Sequence, residues 1–317
     1  MHNDPMLSVV IPVKNGGSDL ERCLRAIAAQ QVDEEVEVVI VDSGSSDGSV
    51  DVARSHGAVI IEIPATAFTH GGSRNLGAAK ARGDLLVFIS QDAVPVGEDW
   101  LARLVAPLRA DPTLAGVYGR QIPHPGAAPP EAYFLDFLYG PHSRRQAVAG
   151  VEELSMDATL FSNVNSAIRR TAWEQFPFAE NIVMSEDQEW SRRALLAGHS
   201  LQYEAEAVVR HSHTYTLKAA FQRFFDSGMS SERAYMADNS ESKKVLRRRS
   251  VAYATGEVRW LWSTRQLRWL PYTVVYEAAK MLGLILGVNH ARLPASLTRR
   301  LSGIPAAWNE PREMARP

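Results

Sequence analysis

Four short runs of β-branched and aliphatic residues recur in the front of the chain, at residues 7–13, 36–42, 59–63 and 85–89. Each run breaks off into turn formers: Lys14-Asn15-Gly16-Gly17 after the first, Ser43-Gly44-Ser45-Ser46-Asp47-Gly48 after the second. Between the runs the apolar period changes to that of a helix, with Leu20, Cys23, Leu24 and Ile27 on one face and further helical stretches over 49–56 and 74–81. Strands alternating with helices require right-handed crossovers and a mostly parallel sheet, so the fold class is α/β. Such a sheet binds its ligand beyond the carboxyl ends of its strands. That rule directs attention to the strand tips, where Asp42 closes the second run and Ser90-Gln91-Asp92 closes the fourth.

Each polar cluster has a structural reading and a chemical one. Asp92 is either a turn cap before Ala93-Val94-Pro95 or a carboxylate able to hold a divalent metal. Asp42 either caps its turn or accepts hydrogen bonds from a base or ribose. In Phe68-Thr69-His70-Gly71-Gly72-Ser73-Arg74-Asn75-Leu76-Gly77 the paired glycines would let backbone approach a ligand, and Ser73 would cap the next helix. Arg74, near that helix N-terminus, would meet either a phosphate or an acid. Met184-Ser185-Glu186-Asp187-Gln188-Glu189 is either a helix start favoured by the dipole or the source of a general base. His211 and His213 follow the strand-like Ala207-Val208-Val209-Arg210 and would point the same way, as a metal-binding imidazole pair does.

The 317 residues suffice for one large domain with an appendage. The lone Cys23 excludes an internal disulfide and fits a reducing cytoplasm, and the polar residues 1–5 do not open a signal peptide. The first strand ends without a Gly-x-Gly-x-x-Gly turn, which argues against a dinucleotide oxidoreductase. Pro123-His124-Pro125-Gly126-Ala127-Ala128-Pro129-Pro130 reads as an exposed connector. The net charge of −2 hides an asymmetry, with 17 Lys and Arg against 8 Asp and Glu over residues 218–317. This helical, basic tail includes Arg247-Arg248-Arg249, a hinge or surface patch, and an apolar stretch over 274–288 interrupted by Glu277 and Lys280. That stretch is too charged to span a bilayer, and either packs on the main body or lies in a membrane interface.

Taken in order, these clusters resemble the inverting family 2 glycosyltransferases of the GT-A fold. The likeness runs over Ser8-Val9-Val10-Ile11-Pro12-Val13, Val39-Ile40-Val41-Asp42-Ser43-Gly44-Ser45-Ser46-Asp47-Gly48, Arg74-Asn75-Leu76-Gly77 with Ala81-Arg82-Gly83-Asp84, and Glu186-Asp187. It covers about two-thirds of the chain, residues 7–215. Where the family carries Asp-x-Asp, this sequence has Ser90-Gln91-Asp92, and Asp42 is followed by Ser43 rather than a second acid. Gln91-Asp92-Ala93, residues 68–75 and His211-Ser212-His213-Thr214-Tyr215 are similar to a rhamnosyltransferase branch that uses dTDP-L-rhamnose.

The resemblance implies a Rossmann-like GT-A domain over 1–217, and the basic helical extension over 218–317 is expected to contact a membrane surface or a second copy, or to be a solvated helical face. The resemblance also implies that Pro12, Asn15, Asp42, Arg74 and Gln91 bind the nucleotide. Asp92 with His211 or His213 would hold Mg²⁺ or Mn²⁺, and Asp187 would act as base with Glu186 beside it. The acceptor would be a glycan or lipid-linked glycan of the cell surface, met in the cytoplasm or on the inner face of the plasma membrane, with no nucleic-acid partner. Two alternatives stay open: another UDP- or dTDP-hexose donor, and a non-catalytic nucleotide-sugar-binding subunit.

Overall fold

A computed structural model describes residues 6–234 and 240–304, apart from the side chains of residues 232 and 240–247. The expectation for residues 1–5, the Arg247 side chain, and residues 305–317 of the tail lie outside the described residues. The chain order is β1 (Met6–Val13), α1 (Gly17–Ala28), β2 (Glu35–Asp42), α2 (Ser49–Ser55), β3 (Val59–Glu62), α3 (His70–Lys80), β4 (Leu85–Ile89), β5 (Val94–Pro95) and α4 (Trp100–Ala110). It continues with β6 (Leu114–Ile122), α5 (Pro129–Leu138), β7 (Arg144–Gln146), β8 (Asn165–Arg169), α6 (Arg170–Gln175), α7 (Glu186–Leu196) and β9 (Ser200–Arg210). Four helices end it: α8 (Leu217–Ala234), α9 (Ser240–Ser263), α10 (Leu270–Val288) and α11 (Ala295–Leu301).

One sheet runs β3-β2-β1-β4-β8-β6-β9-β5, with β7 paired to β9. The four strands visible as apolar runs pair in parallel. Beyond β4 the sheet is mixed, because β8 enters antiparallel to both β4 and β6. Alternate residues of each strand feed opposite faces. Val9, Ile11, Ile40, Val87 and Ile89 pack under α1 and α4, while Val10, Val39, Leu86 and Phe88 pack against α3, α5 and α7. All five residues of β4 are buried, so its tip is set rigidly at the middle of the sheet.

Two local expectations change. The helix after β3 begins four residues early, at His70, because the Thr69 hydroxyl rather than Ser73 caps it, accepting from Gly72 N at 2.9 Å. The Pro-rich connector stops at Ala128, since Pro129 and Pro130 are buried in the first turn of α5, where a missing N–H costs nothing.

The C-terminal helices pack on this body. Tyr133 of α5 donates to the Tyr253 carbonyl of α9 at 3.0 Å. Arg249 pairs with Asp157 and stacks on Phe137, so it is no free surface patch, whereas Arg248 is exposed. Helices α8 and α10 touch backbone to backbone: a Cβ at Gly283 would sit 2.3 Å from the Phe221 carbonyl, and one at Gly287 2.1 Å from that of Phe225. Among the described residues no helix is long and apolar enough to cross a membrane.

Candidate active site

Three groups of side chains meet beyond the strand tips. The first lies where β1 and β2 end. Asp42 is 2% exposed, and its Oδ2 accepts from Gly44 N and Ser45 N at 2.9 and 3.0 Å. The turn-cap reading is therefore correct for one oxygen, while Oδ1 is buried without a partner. A buried, unpaired carboxylate oxygen is costly unless something else donates to it. Asn15 completes the rim in a left-handed conformation (φ 48°), with its side chain accepting from Ser46 N at 2.9 Å. Pro12 lies at the same tip, half-buried within β1. Gln91 grips Lys14 with both ends of its amide, accepting from its N–H at 2.9 Å and donating to its carbonyl at 3.2 Å. It thereby ties the β4 tip to the β1 turn.

The second group is Asp92, His211 and His213, whose ligand-type atoms all lie within 4.8 Å of one another. His211 Nε2 is 3.6 Å from Asp92 Oδ1, and His213 Nδ1 is 3.6 Å from Oδ2. The imidazole pair at the end of β9 thus converges on the tip of β4, as the two-residue spacing predicts. Burial, with neighbouring His213 and Arg223, holds His211 well below the usual imidazole range. Burial likewise lowers His213 against the opposing pull of Asp92. Two neutral imidazoles and one carboxylate are the donor set a divalent cation needs. Gln121 supports the fit: its Oε1 accepts from His211 Nδ1 at 3.0 Å, which leaves the Nε2 lone pair facing Asp92. Gln121 in turn donates to Ser162 at 3.0 Å.

The third group surrounds the start of α7. Arg74 donates to Glu186 at 2.9 Å in a buried ion pair, and to the His70 carbonyl at 3.2 Å, leaving its Nε unpartnered. Asn163, fully buried, holds both acids: its N–H donates to Asp187 Oδ2 at 3.1 Å and its side chain to Glu186 at 3.3 Å. The two neighbours are driven apart. Burial pushes Glu186 upward, but Arg74 and His70 outweigh it and hold the carboxyl below its ordinary value. Burial and then the Glu186 charge raise Asp187 to about 7. A carboxylate poised near neutrality beside one locked as an anion is how a site separates a base from a fixed charge.

The glycines of His70-Gly71-Gly72 serve packing rather than ligand approach. A Cβ at Gly71 would lie 2.2 Å from the Ala179 carbonyl, and one at Gly72 2.6 Å from Thr69 Oγ1. Arg74 turns Nη1 to Glu186 and the His70 carbonyl, and its Nε is buried without a partner. Sequence reasoning passed over Gln121 and Asn163, which carry no periodic signal. It also passed over Arg223 of α8, an exposed residue whose guanidinium lies 5.7 Å above the Tyr215 ring, itself 5.1 Å from the His213 ring.

A sheet of this order, with a carboxylate-imidazole cluster and a poised acid at its carboxyl edge, has the arrangement that the resemblance to GT-A glycosyltransferases implies, and comparison with known proteins shows that class. The profile of glycosyl transferase family 2 matches residues 8–174. The O-antigen chain rhamnosyltransferase RfbN of Salmonella typhimurium is 32% identical over 96% of both chains, and WbaN of Salmonella anatum, of the same description, is 30% identical over 96% of both. Among solved structures, a mannosyltransferase of Pyrobaculum calidifontis in complex with GDP-mannose and Mn²⁺ superposes with a TM-score of 0.56 at 18% identity, covering 96% of this chain and 85% of that one. The chain belongs to glycosyl transferase family 2.

Proposed function

We propose that this protein transfers L-rhamnose from dTDP-L-rhamnose to a lipid-linked or polysaccharide glycan acceptor at the cytoplasmic face of a membrane. The observation that carries the choice of sugar is the end-to-end likeness to two O-antigen chain rhamnosyltransferases. The split between Glu186 and Asp187 supports catalysis over mere binding.

The buried free oxygen of Asp42 suits the ring N–H of a thymine base, with Asn15 and Pro12 shaping that pocket and Gln91 holding its floor. Asp92, His211 and His213 would hold Mg²⁺ or Mn²⁺, which when bound supplies positive charge for the diphosphate. Arg223, exposed and in no ion pair among the described residues, is free to turn its charge to the same leaving group. Asp187 takes the proton from the acceptor hydroxyl as the new bond forms. Glu186 stays ionised, held by Arg74 and Asn163, and keeps the Asp187 affinity for protons high. A single displacement on a β-linked donor gives an α-rhamnoside.

The test is a donor screen with dTDP-rhamnose, UDP-glucose, UDP-galactose and UDP-N-acetylglucosamine, following hydrolysis and transfer. Turnover of dTDP-rhamnose at least tenfold above the others is expected. Preference for a UDP-hexose would replace the donor and leave the chemistry intact.

A further inference from the structure

Helix α10 is inverted relative to an ordinary surface helix. Its charged residues point inward: Lys280 is 5% exposed, donates to Glu277 at 2.8 Å and lies 4.5 to 5.5 Å from the rings of Phe134, Phe224, Tyr253 and Tyr276. Its outward face carries Val274, Val275, Met281, Leu282, Ile285 and Val288, every one exposed. The glycine contacts with α8 clamp the helix in that orientation, so the apolar stripe does not turn under the body. At the preceding corner Trp262 is 72% exposed.

Charge decides what covers this stripe. Exposed arginines bracket α10 in sequence, Arg265 and Arg268 before it and Arg292 and Arg300 after it. Between residues 248 and 304 the only acids are Glu257 and Glu277, and neither is exposed. A second copy of the chain docking isologously would bring one cationic rim onto another. A helix with cations at both ends and an apolar stripe between them is built to lie flat in an anionic lipid surface.

We infer that the outward face of α10, with its flanking arginines and Trp262, docks the enzyme on an anionic bilayer. The geometry stands without the assignment of rhamnose; only the benefit, access to a lipid-linked acceptor, rests on that reading. Helix α8 connects the two functions. Its Phe221 and Phe225 backbone and its Gly228 contact α10, while its Arg223 stacks on Tyr215 beside the metal-type cluster.

The experiment is flotation of the full chain with vesicles of phosphatidylglycerol and phosphatidylcholine in equal parts, and with phosphatidylcholine alone. The protein is expected to float with the anionic vesicles, less so as salt rises, and at least tenfold less as the triple variant Val275→Glu, Leu282→Glu, Ile285→Glu. Donor hydrolysis in vesicle-free solution should be the same for both proteins, which shows that the variant is folded and separates this inference from the choice of donor. Equal flotation of variant and parent would overturn it. So would a dimer in sedimentation that these substitutions dissociate, or equal flotation with and without phosphatidylglycerol.

Discussion

At the residue scale the proposed chemistry rests on the adjacent acids Glu186 and Asp187, whose environments make them unequal. Replacing Asp187 by Asn should lower transfer by about 10²–10⁴-fold, the range for losing a positioned proton acceptor, with dTDP affinity nearly unchanged in calorimetry. Because Asp187 must be ionised to act and its carboxyl is raised to about 7, kcat/KM should climb through that pH and level off above it. Stability runs the other way. A carboxyl whose folded-state value exceeds its unfolded one favours folding below the unfolded value and loses that contribution as pH rises to about 7. Asp187→Asn should therefore have the higher Tm at pH 8, with an advantage that shrinks as pH falls below about 7 and vanishes only below the unfolded carboxyl value of 3.8. A pH–rate profile that is flat between pH 5 and 8 would remove the base from Asp187. Gln121 tests the second cluster in the same way. Gln121→Leu frees the His211 ring to take the other tautomer, and Mn²⁺ affinity should fall about 10–100-fold, as for other supports of metal ligands.

At the scale of elements, the parallel half of the site was legible and the antiparallel half was not. Residues 7–13, 36–42 and 85–89 announce themselves because buried parallel strands are largely apolar runs, residues 59–63 because an edge strand of β-branched residues still carries strand propensity, and Asp42 and Asp92 follow as strand tips. His211 and His213 were legible as a pair because β9 ends just before them. Strand β8 was hidden: Asn165-Ser166-Ala167-Ile168-Arg169 is half polar, and Asn165 and Ser166 earn their burial by hydrogen bonds to Trp100, Ala207 and Asn163 that only the tertiary fold supplies. Asn163 precedes that strand, so its hold on Glu186 and Asp187 was equally invisible. The Arg74–Glu186 pair spans 112 positions and has no local signature. It rests on the close seat of α3 against residues 178–180. Gly71→Ala would drive a Cβ into the Ala179 carbonyl and should cost about 1–3 kcal/mol, as overpacking does. The shift should also loosen Arg74 from Glu186, so thermal melts and transfer rates should fall together; a normal Tm with normal turnover would show that the seat has slack.

At the scale of the whole molecule, charge is divided as function is. Residues 1–217 carry −11 and hold the base, the fixed acid and the metal-type cluster, whereas residues 218–317 carry +9. An acidic catalytic body that must accept a diphosphate needs cations at the point of contact, and Arg74 is already committed to Glu186. In the proposed mechanism the helical extension supplies one in Arg223, whose charge acts on His211, His213 and Tyr215. Arg223 is exposed, so Arg223→Gln should leave Tm unchanged while lowering kcat with the donor that the screen selects by about 100-fold, the scale of losing one preorganised charge at a leaving group. Its effect should fall on kcat more than on KM, because negative charge grows on the diphosphate only as the sugar departs. Unchanged kcat with raised KM would instead place Arg223 on the ground-state nucleotide, and unchanged values of both would confine it to stacking on Tyr215.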